Sequence, residues 1–274
     1  MPLRKKLFWL FVAVFIMIVS YLWCIHRVYH FVPISTDIFI GNKIAGLLMK
    51  NNKICDNPEV KDRMDSILAA FAPSDSGFKY DITVINKNEV NAFALPGGKI
   101  FVFSGLLANT ESSEEIAGVI AHEIAHIEKR HGVQNLIRAI GIHYIISMAL
   151  GVGFEDFDTI DTLSEFSDLL IILKYSRGFE YEADVYGADI LHRSGLSVAG
   201  LKSFMIKSQK NRPDSETIEP GENRLVDFLS THPAVPRRIE LLNQVLEKET
   251  VDYSDLFEKD VDWKNLSASC ETPE

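Results

Sequence analysis

The pentad His122-Glu123-Ile124-Ala125-His126 constrains this chain more than any other stretch of it. Two histidines four residues apart share one helix face, so a helix through them points both imidazoles at a single metal ion. Glu123 is one step round the helix, beside the remaining coordination position, where its carboxylate can take a proton from a bound water. The flanking residues specify that helix. Ser112 with Glu115 reads as a capping box at its start. Ile116, Val119, Ile120 and Ile124 give it an apolar flank, Arg130 and His131 suit its C-terminus, and Gly132 is expected to end it.

A catalytic zinc site takes three protein ligands and keeps one position for water. A histidine six residues after His126 would complete one such pattern, but that residue is Gly132. His131 comes five after, off the shared face, and reads as a helix-end residue. The better third ligand lies in Ser176-Arg177-Gly178-Phe179-Glu180-Tyr181-Glu182-Ala183-Asp184. Glu180 and Asp184 are again four apart on an expected helix. Glu180 can reach the metal, and Asp184 can accept the second ring hydrogen of a coordinated histidine and hold its tautomer. Glu182 competes for the ligand role, although it faces nearly the opposite way.

The rest of the chain organises around this centre. Arg4-Lys5-Lys6 precede an uncharged apolar run from Leu7 to Cys24, extended by Ile25. That is just long enough to cross a bilayer, which takes about 20 apolar residues. The alternative is a cleaved signal peptide, but no small-x-small site follows the run. The expected organisation is a cytoplasmic basic flank at 1–6, a transmembrane signal anchor at 7–25, a linker and leading helix at 26–58, a catalytic domain at 59–250 and a loosely held acidic tail at 251–274. The basic flank puts the large domain on the non-cytoplasmic side, the periplasm in a Gram-negative cell. Lys61–Phe71 has helix spacing, while 80–86, 90–95 and 100–103 read as strands, the last two joined by a Pro96-Gly97-Gly98 turn. From 112 onward the pattern is mainly helical, broken by a polar loop at 209–223. Residues 140–152 read as a helix lining or covering the cleft, and 153–170 as a lid. The fold class expected is α+β: mainly helical, with a small β-sheet, behind one N-terminal transmembrane helix. With 28 Lys and Arg against 38 Asp and Glu, a net of −10, the chain is a poor binder of phosphate backbones, and no nucleic-acid partner is expected.

His122-Glu123-x-x-His126 followed by Ser176-Arg177-x-x-Glu180-x-x-Ala183-Asp184 resembles the membrane-associated zinc metallopeptidases of the CAAX prenyl protease, HtpX-like and Oma-type family. Two further stretches share the resemblance. Asn91-Ala92-Phe93-Ala94-Leu95-Pro96-Gly97-Gly98 resembles the family's edge strand and turn, and Thr231-His232-Pro233 with Arg238-Ile239 its late His-Pro motif. The resemblance implies a zincin-like gluzincin fold and one Zn2+ held by His122, His126 and Glu180, with Glu123 as general base. It also implies that His232 and Arg238 face the open side of the zinc. There they would stabilise an oxyanion, or His232 would move onto the metal as an inhibitory fourth ligand. Asn91, Ala92 and Phe93 would then offer an unpaired strand edge to which a polypeptide substrate adds as an extra strand. The single apolar run sets the chain apart from the multi-span prenyl proteases.

Two function classes follow: an endopeptidase acting on unfolded or misassembled proteins, and a chaperone-like assembly factor of the same fold with silenced or secondary proteolysis. An intact Glu123 favours the first. Of three cysteines, Cys24 belongs to the apolar run. An oxidising compartment would therefore favour a Cys55–Cys270 disulfide that staples the tail to the start of the domain.

Overall fold

The computed structural model describes residues 4–9, 11–12, 20, 29–139, 174–210, 231–232, 235–249, 257 and 261–270. In chain order the elements are α1 (Ile34–Asn51), α2 (Pro58–Phe71), β1 (Asp81–Ile85), β2 (Ala92–Leu95), β3 (Lys99–Phe103), α3 (Ser104–Ala108), α4 (Ser113–Glu128), α5 (Arg177–Arg193), α6 (Ala199–Lys210), α7 (Val235–Leu246) and α8 (Trp263–Ala268). This is the mainly helical α+β architecture expected from the sequence.

Pro96-Gly97-Gly98 turns β2 back on β3, with Gly97 and Gly98 at φ 83° and 101°, a region that favours glycine. β1 then joins the far side of β3 in parallel, Asp81 opposite Lys99, so the sheet order is β1-β3-β2. Alternation along the strands sends one set of side chains to each face. Ile82, Val84, Ala92, Ala94, Ile100 and Val102 pack into the main core with α2 and α4. Phe93, Leu95, Phe101 and Phe103 pack on Ile44, Ala45 and Leu48 of α1. The sheet is thus covered on both faces. β1 is flanked by the Ile54–Ile85 bridge, whereas β2 pairs only with β3 among the described residues.

α4 is buried along nearly its whole length. The side chain of Ser112 accepts from the Glu115 amide at 3.3 Å, as a capping box requires, but the Glu115 carboxylate does not return to Ser112. It accepts from the Glu111 amide, Ser203 Oγ and Lys207 Nζ, tying α4 to α6. The helices meet at Gly118, where an added Cβ would stand 2.5 Å from the Leu201 backbone nitrogen.

Several local expectations are corrected. Gly132 does not end α4. The helix stops at Glu128 and the left-handed residue is Arg130, at φ 55°, while Gly132 lies in a further helical run, 131–139. The Arg130 guanidinium reaches Asp37 of α1 and the Tyr29 carbonyl, and this tertiary pull holds the unusual backbone. The tail is not loose over 261–270. Trp263 and Leu266 of α8 are buried in the core, and Ser267 Oγ donates to the Ser104 carbonyl at 2.6 Å. Cys270, just past α8, is bonded to Cys55, with 4.6 Å between Cα atoms. Gln209 and Lys210 belong to α6 rather than to the polar loop.

Most of the apolar run at 7–25 lies outside the described residues, as do 140–152, 153–170 and 211–223. Among the described residues no helix is long and apolar enough to cross a membrane.

Candidate active site

α4 and α5 build the centre. α5 starts on Ser176, whose side chain accepts from the Phe179 amide. Its spacing aims Glu180 and Asp184 at α4, and Gly187 lets the helices close, with room there for only a tight Cβ, 3.2 Å from the Ala121 carbonyl. His122, Glu123, His126, Glu180, Asp184 and His232 are all buried.

One ligand atom from each of His122, His126, Glu180 and His232 lies within 4.8 Å of the other three. Nε2 of His126 is 3.0 Å from Nε2 of His122. Each of these nitrogens is 3.5 Å from a Glu180 oxygen. Nδ1 of His232 is 3.3 Å from His122 Nε2 and 3.2 Å from both Glu180 oxygens. Four nitrogen and oxygen ligands held tetrahedrally at zinc distances are separated by about 3.3–3.4 Å. The donor set therefore fits zinc in both chemistry and spacing.

The surroundings orient these donors. Asp184 Oδ1 is 3.0 Å from His122 Nδ1, which leaves Nε2 to face the cluster. Arg238, from α7, meets both Asp184 oxygens at 2.7 and 2.8 Å and Glu180 Oε2 at 2.7 Å. Its guanidinium thus faces the two carboxylates. Glu182 is half-exposed and points away from the cluster, toward His131 and Lys129.

Burial alone would raise the pKa of Glu180, but His232, Arg238 and His122 outweigh it and hold the carboxyl well below its usual range. Burial likewise works against ionised Asp184, and Arg238 with His122 overrides it. Two carboxylates held ionised against one guanidinium leave the cluster short of positive charge. Burial and Arg238 press the His122 pKa down, yet hydrogen bonds to Asp184 and Glu180 lift it to about 9. A divalent cation would answer the same demand. Burial drives His126 well below its ordinary value.

Glu123 differs from its neighbours. Its two carboxylate oxygens are buried without a hydrogen-bond partner among the described residues. Burial raises its pKa, opposed by His232 and His122 and, more weakly, by the Ala94 backbone amide. His232 Nε2 stands 3.4 Å from Glu123 Oε1. Ala94 lies on β2, so the base and the strand edge are neighbours. Asn91, Ala92 and Phe93 are buried; Asn91 Oδ1 accepts from Thr231 Oγ1 at 3.4 Å, and Phe93 stacks on Phe101.

Sequence reasoning missed His131 and Tyr175. His131 is fully buried and its Nδ1 is 2.9 Å from Nδ1 of His126. Tyr175 stacks on the His126 ring at 3.9 Å between centroids. Helix periodicity could not find His131, because α4 ends between it and His126.

A buried pair of helices that presents two histidines and a glutamate to one point, with the Glu123 carboxylate beside it, defines a metal-dependent hydrolase centre. The chain belongs to peptidase family M48, which it matches over residues 55–246. It is 31% identical over 211 residues to the mitochondrial metalloendopeptidase OMA1 of Arabidopsis thaliana, covering 76% of this chain and 41% of that protein. It is 29% identical over 183 residues to the metalloprotease LoiP of Escherichia coli, covering 66% and 69%. A putative beta-barrel assembly-enhancing protease of Vibrio cholerae is 24% identical over 189 residues, covering 64% and 38%. The chain thus spans less than half the length of the first and last of these relatives.

Proposed function

We propose that this chain is a membrane-anchored, zinc-dependent endopeptidase that hydrolyses unfolded or misassembled proteins. The observation that carries the proposal is the converging set His122, His126 and Glu180, with the buried Glu123 carboxylate beside it lacking a hydrogen bond among the described residues. Zinc bound by the three ligands would polarise the attacking water and the scissile carbonyl. Glu123 accepts the water's proton and passes it to the leaving amine. His232 and Arg238 keep Glu180 ionised, and Asp184 holds His122 in the tautomer that exposes Nε2. A substrate strand added along β2 would run past Glu123, because the helix that carries Glu123 packs against β2. Main-chain pairing of this kind reads little of the side chains, which suits unfolded substrates.

The test is zinc content and casein digestion for wild type and Glu123→Gln. The variant should keep stoichiometric zinc and lose about 10²–10⁴-fold in turnover; near-wild-type turnover overturns the mechanism.

A second reading is a chaperone-like assembly factor in which proteolysis is silenced or secondary. The position of His232 Nδ1, 3.2 Å from Glu180, favours it, because that nitrogen stands where the water would bind. The domain is proposed to lie on the non-cytoplasmic side, on the basis of Arg4-Lys5-Lys6 ahead of the apolar run. Alkaline phosphatase fused after residue 274 should be active there, and an inactive fusion refutes the topology.

A further inference from the structure

We propose that His131 is a positioning residue for His126, acting as a neutral relay between that ring and Glu182. This inference rests on the zinc reading above. His126 turns Nε2 toward the cluster, 3.0 Å from His122 Nε2 and 3.5 Å from Glu180. An imidazole that coordinates through Nε2 keeps its proton on Nδ1. That N–H is buried and faces Nδ1 of His131 at 2.9 Å. Two nitrogens at this distance make a hydrogen bond only if one of them lacks a proton, so His131 accepts at Nδ1. Its own proton then sits on Nε2, which points to Glu182 Oε2 at 3.3 Å. One proton arrangement satisfies all three residues, and it is the one that leaves His126 Nε2 bare for a metal.

The ring of His131 is held for this task. It is fully buried and stacks on Phe179 with centroids 4.1 Å apart and planes 15° apart. The reversal at Arg130 delivers it, since α4 has already ended and no helical spacing could bring residue 131 against residue 126. The two metal-facing histidines are therefore supported differently. His122 leans on the buried carboxylate of Asp184, whereas His126 leans on an imidazole whose far side reaches a half-exposed glutamate. Glu182 thus has a role on the side of α5 that does not face the cluster.

Zinc affinity of the full chain in detergent, measured by chelator competition, tests the relay alongside melting temperature. His131→Phe keeps the ring and its stacking but removes the acceptor, and should weaken zinc by about 10–100-fold. His131→Asn places a carbonyl oxygen near the Nδ1 position and should recover much of that loss. Glu182→Ala should weaken zinc by a smaller factor, with little change in melting temperature. Unchanged zinc affinity in His131→Phe, or equal losses in His131→Phe and His131→Asn, overturns the inference. If His131→Phe does not fold, Glu182→Ala decides alone, and wild-type affinity in it is refuting. Wild-type protein that takes up no zinc would instead overturn the zinc reading itself.

Discussion

Arg238 holds Asp184 through two nitrogens, Nε to Oδ2 at 2.7 Å and Nη2 to Oδ1 at 2.8 Å, and so fixes the carboxylate on which His122 leans. The guanidinium lies in the interior beside a third partner, Glu180. Deleting it would leave two buried carboxylates without the guanidinium they share. Arg238→Ala should cost about 3–5 kcal/mol of stability in metal-free protein, the usual penalty for orphaning a buried charge. Added zinc should recover part of that loss, because it supplies positive charge at the same place. Urea denaturation with and without zinc measures both numbers. A loss below 1 kcal/mol in the metal-free protein would show that the pair is not needed for folding.

The four donors should not contribute equally to metal retention. His122→Ala, His126→Ala and Glu180→Ala each remove one of the three donors that α4 and α5 hold in common, and each should abolish stoichiometric zinc. His232→Ala leaves those three in place and should retain it, since three protein ligands suffice at a catalytic zinc. Metal analysis of the four purified variants reads this directly. Zinc persisting in Glu180→Ala would point to another ligand, and zinc lost from His232→Ala would make His232 an obligatory one.

What was legible in the sequence follows the reach of each signal. Spacing of four residues is local, and a helix turns it into a shared face without help from the rest of the fold. That is why His122 with His126, and Glu180 with Asp184, could be paired in advance, and why both pairs meet in space. The Pro96-Gly97-Gly98 turn was legible because few residues other than glycine accept its backbone angles. The contacts of His131 and Arg130 were not, because both depend on a chain reversal fixed by Asp37, far away in sequence. Gly132 looked like the stop, yet an ion pair placed the left-handed residue two positions earlier. The acidic composition of the tail concealed α8, whose Trp263 and Leu266 enter the core although most of their neighbours are polar.

Asp37 and Arg130 form the tertiary link that sets this reversal. Asp37 is almost wholly buried on α1, and the Arg130 guanidinium caps it while also donating to the Tyr29 carbonyl at 2.8 Å. Asp37→Asn keeps the shape but removes the charge. It should cost about 1–3 kcal/mol, the range for a buried polar group that loses its partner. Because Arg130 precedes His131, the same variant should also weaken zinc binding modestly, whereas a mutation on the exposed side of α1, Phe39→Ala, should not. Denaturation and chelator competition on the two variants check this, and equal zinc affinity in both would separate the α1 contact from the site.

The Cys55–Cys270 bond joins the segment leading into α2 to the residues just past α8, 215 positions apart. Cys270 is buried against the main core and Cys55 packs against the same cluster, so the bridge closes most of the folded domain into one loop. Constraining the unfolded chain in this way is worth about 2–4 kcal/mol. Unreduced, denatured full-length protein should alkylate one thiol, Cys24, and reduction should expose three. Reduction should also shift urea denaturation to lower concentration, through fraying of α8 from α2 and α3, while the zinc ligands on α4 and α5 remain together. Three reactive thiols before reduction would exclude the bridge in the native protein. That result would also count against the non-cytoplasmic placement, because an oxidising compartment is what keeps such a pair closed.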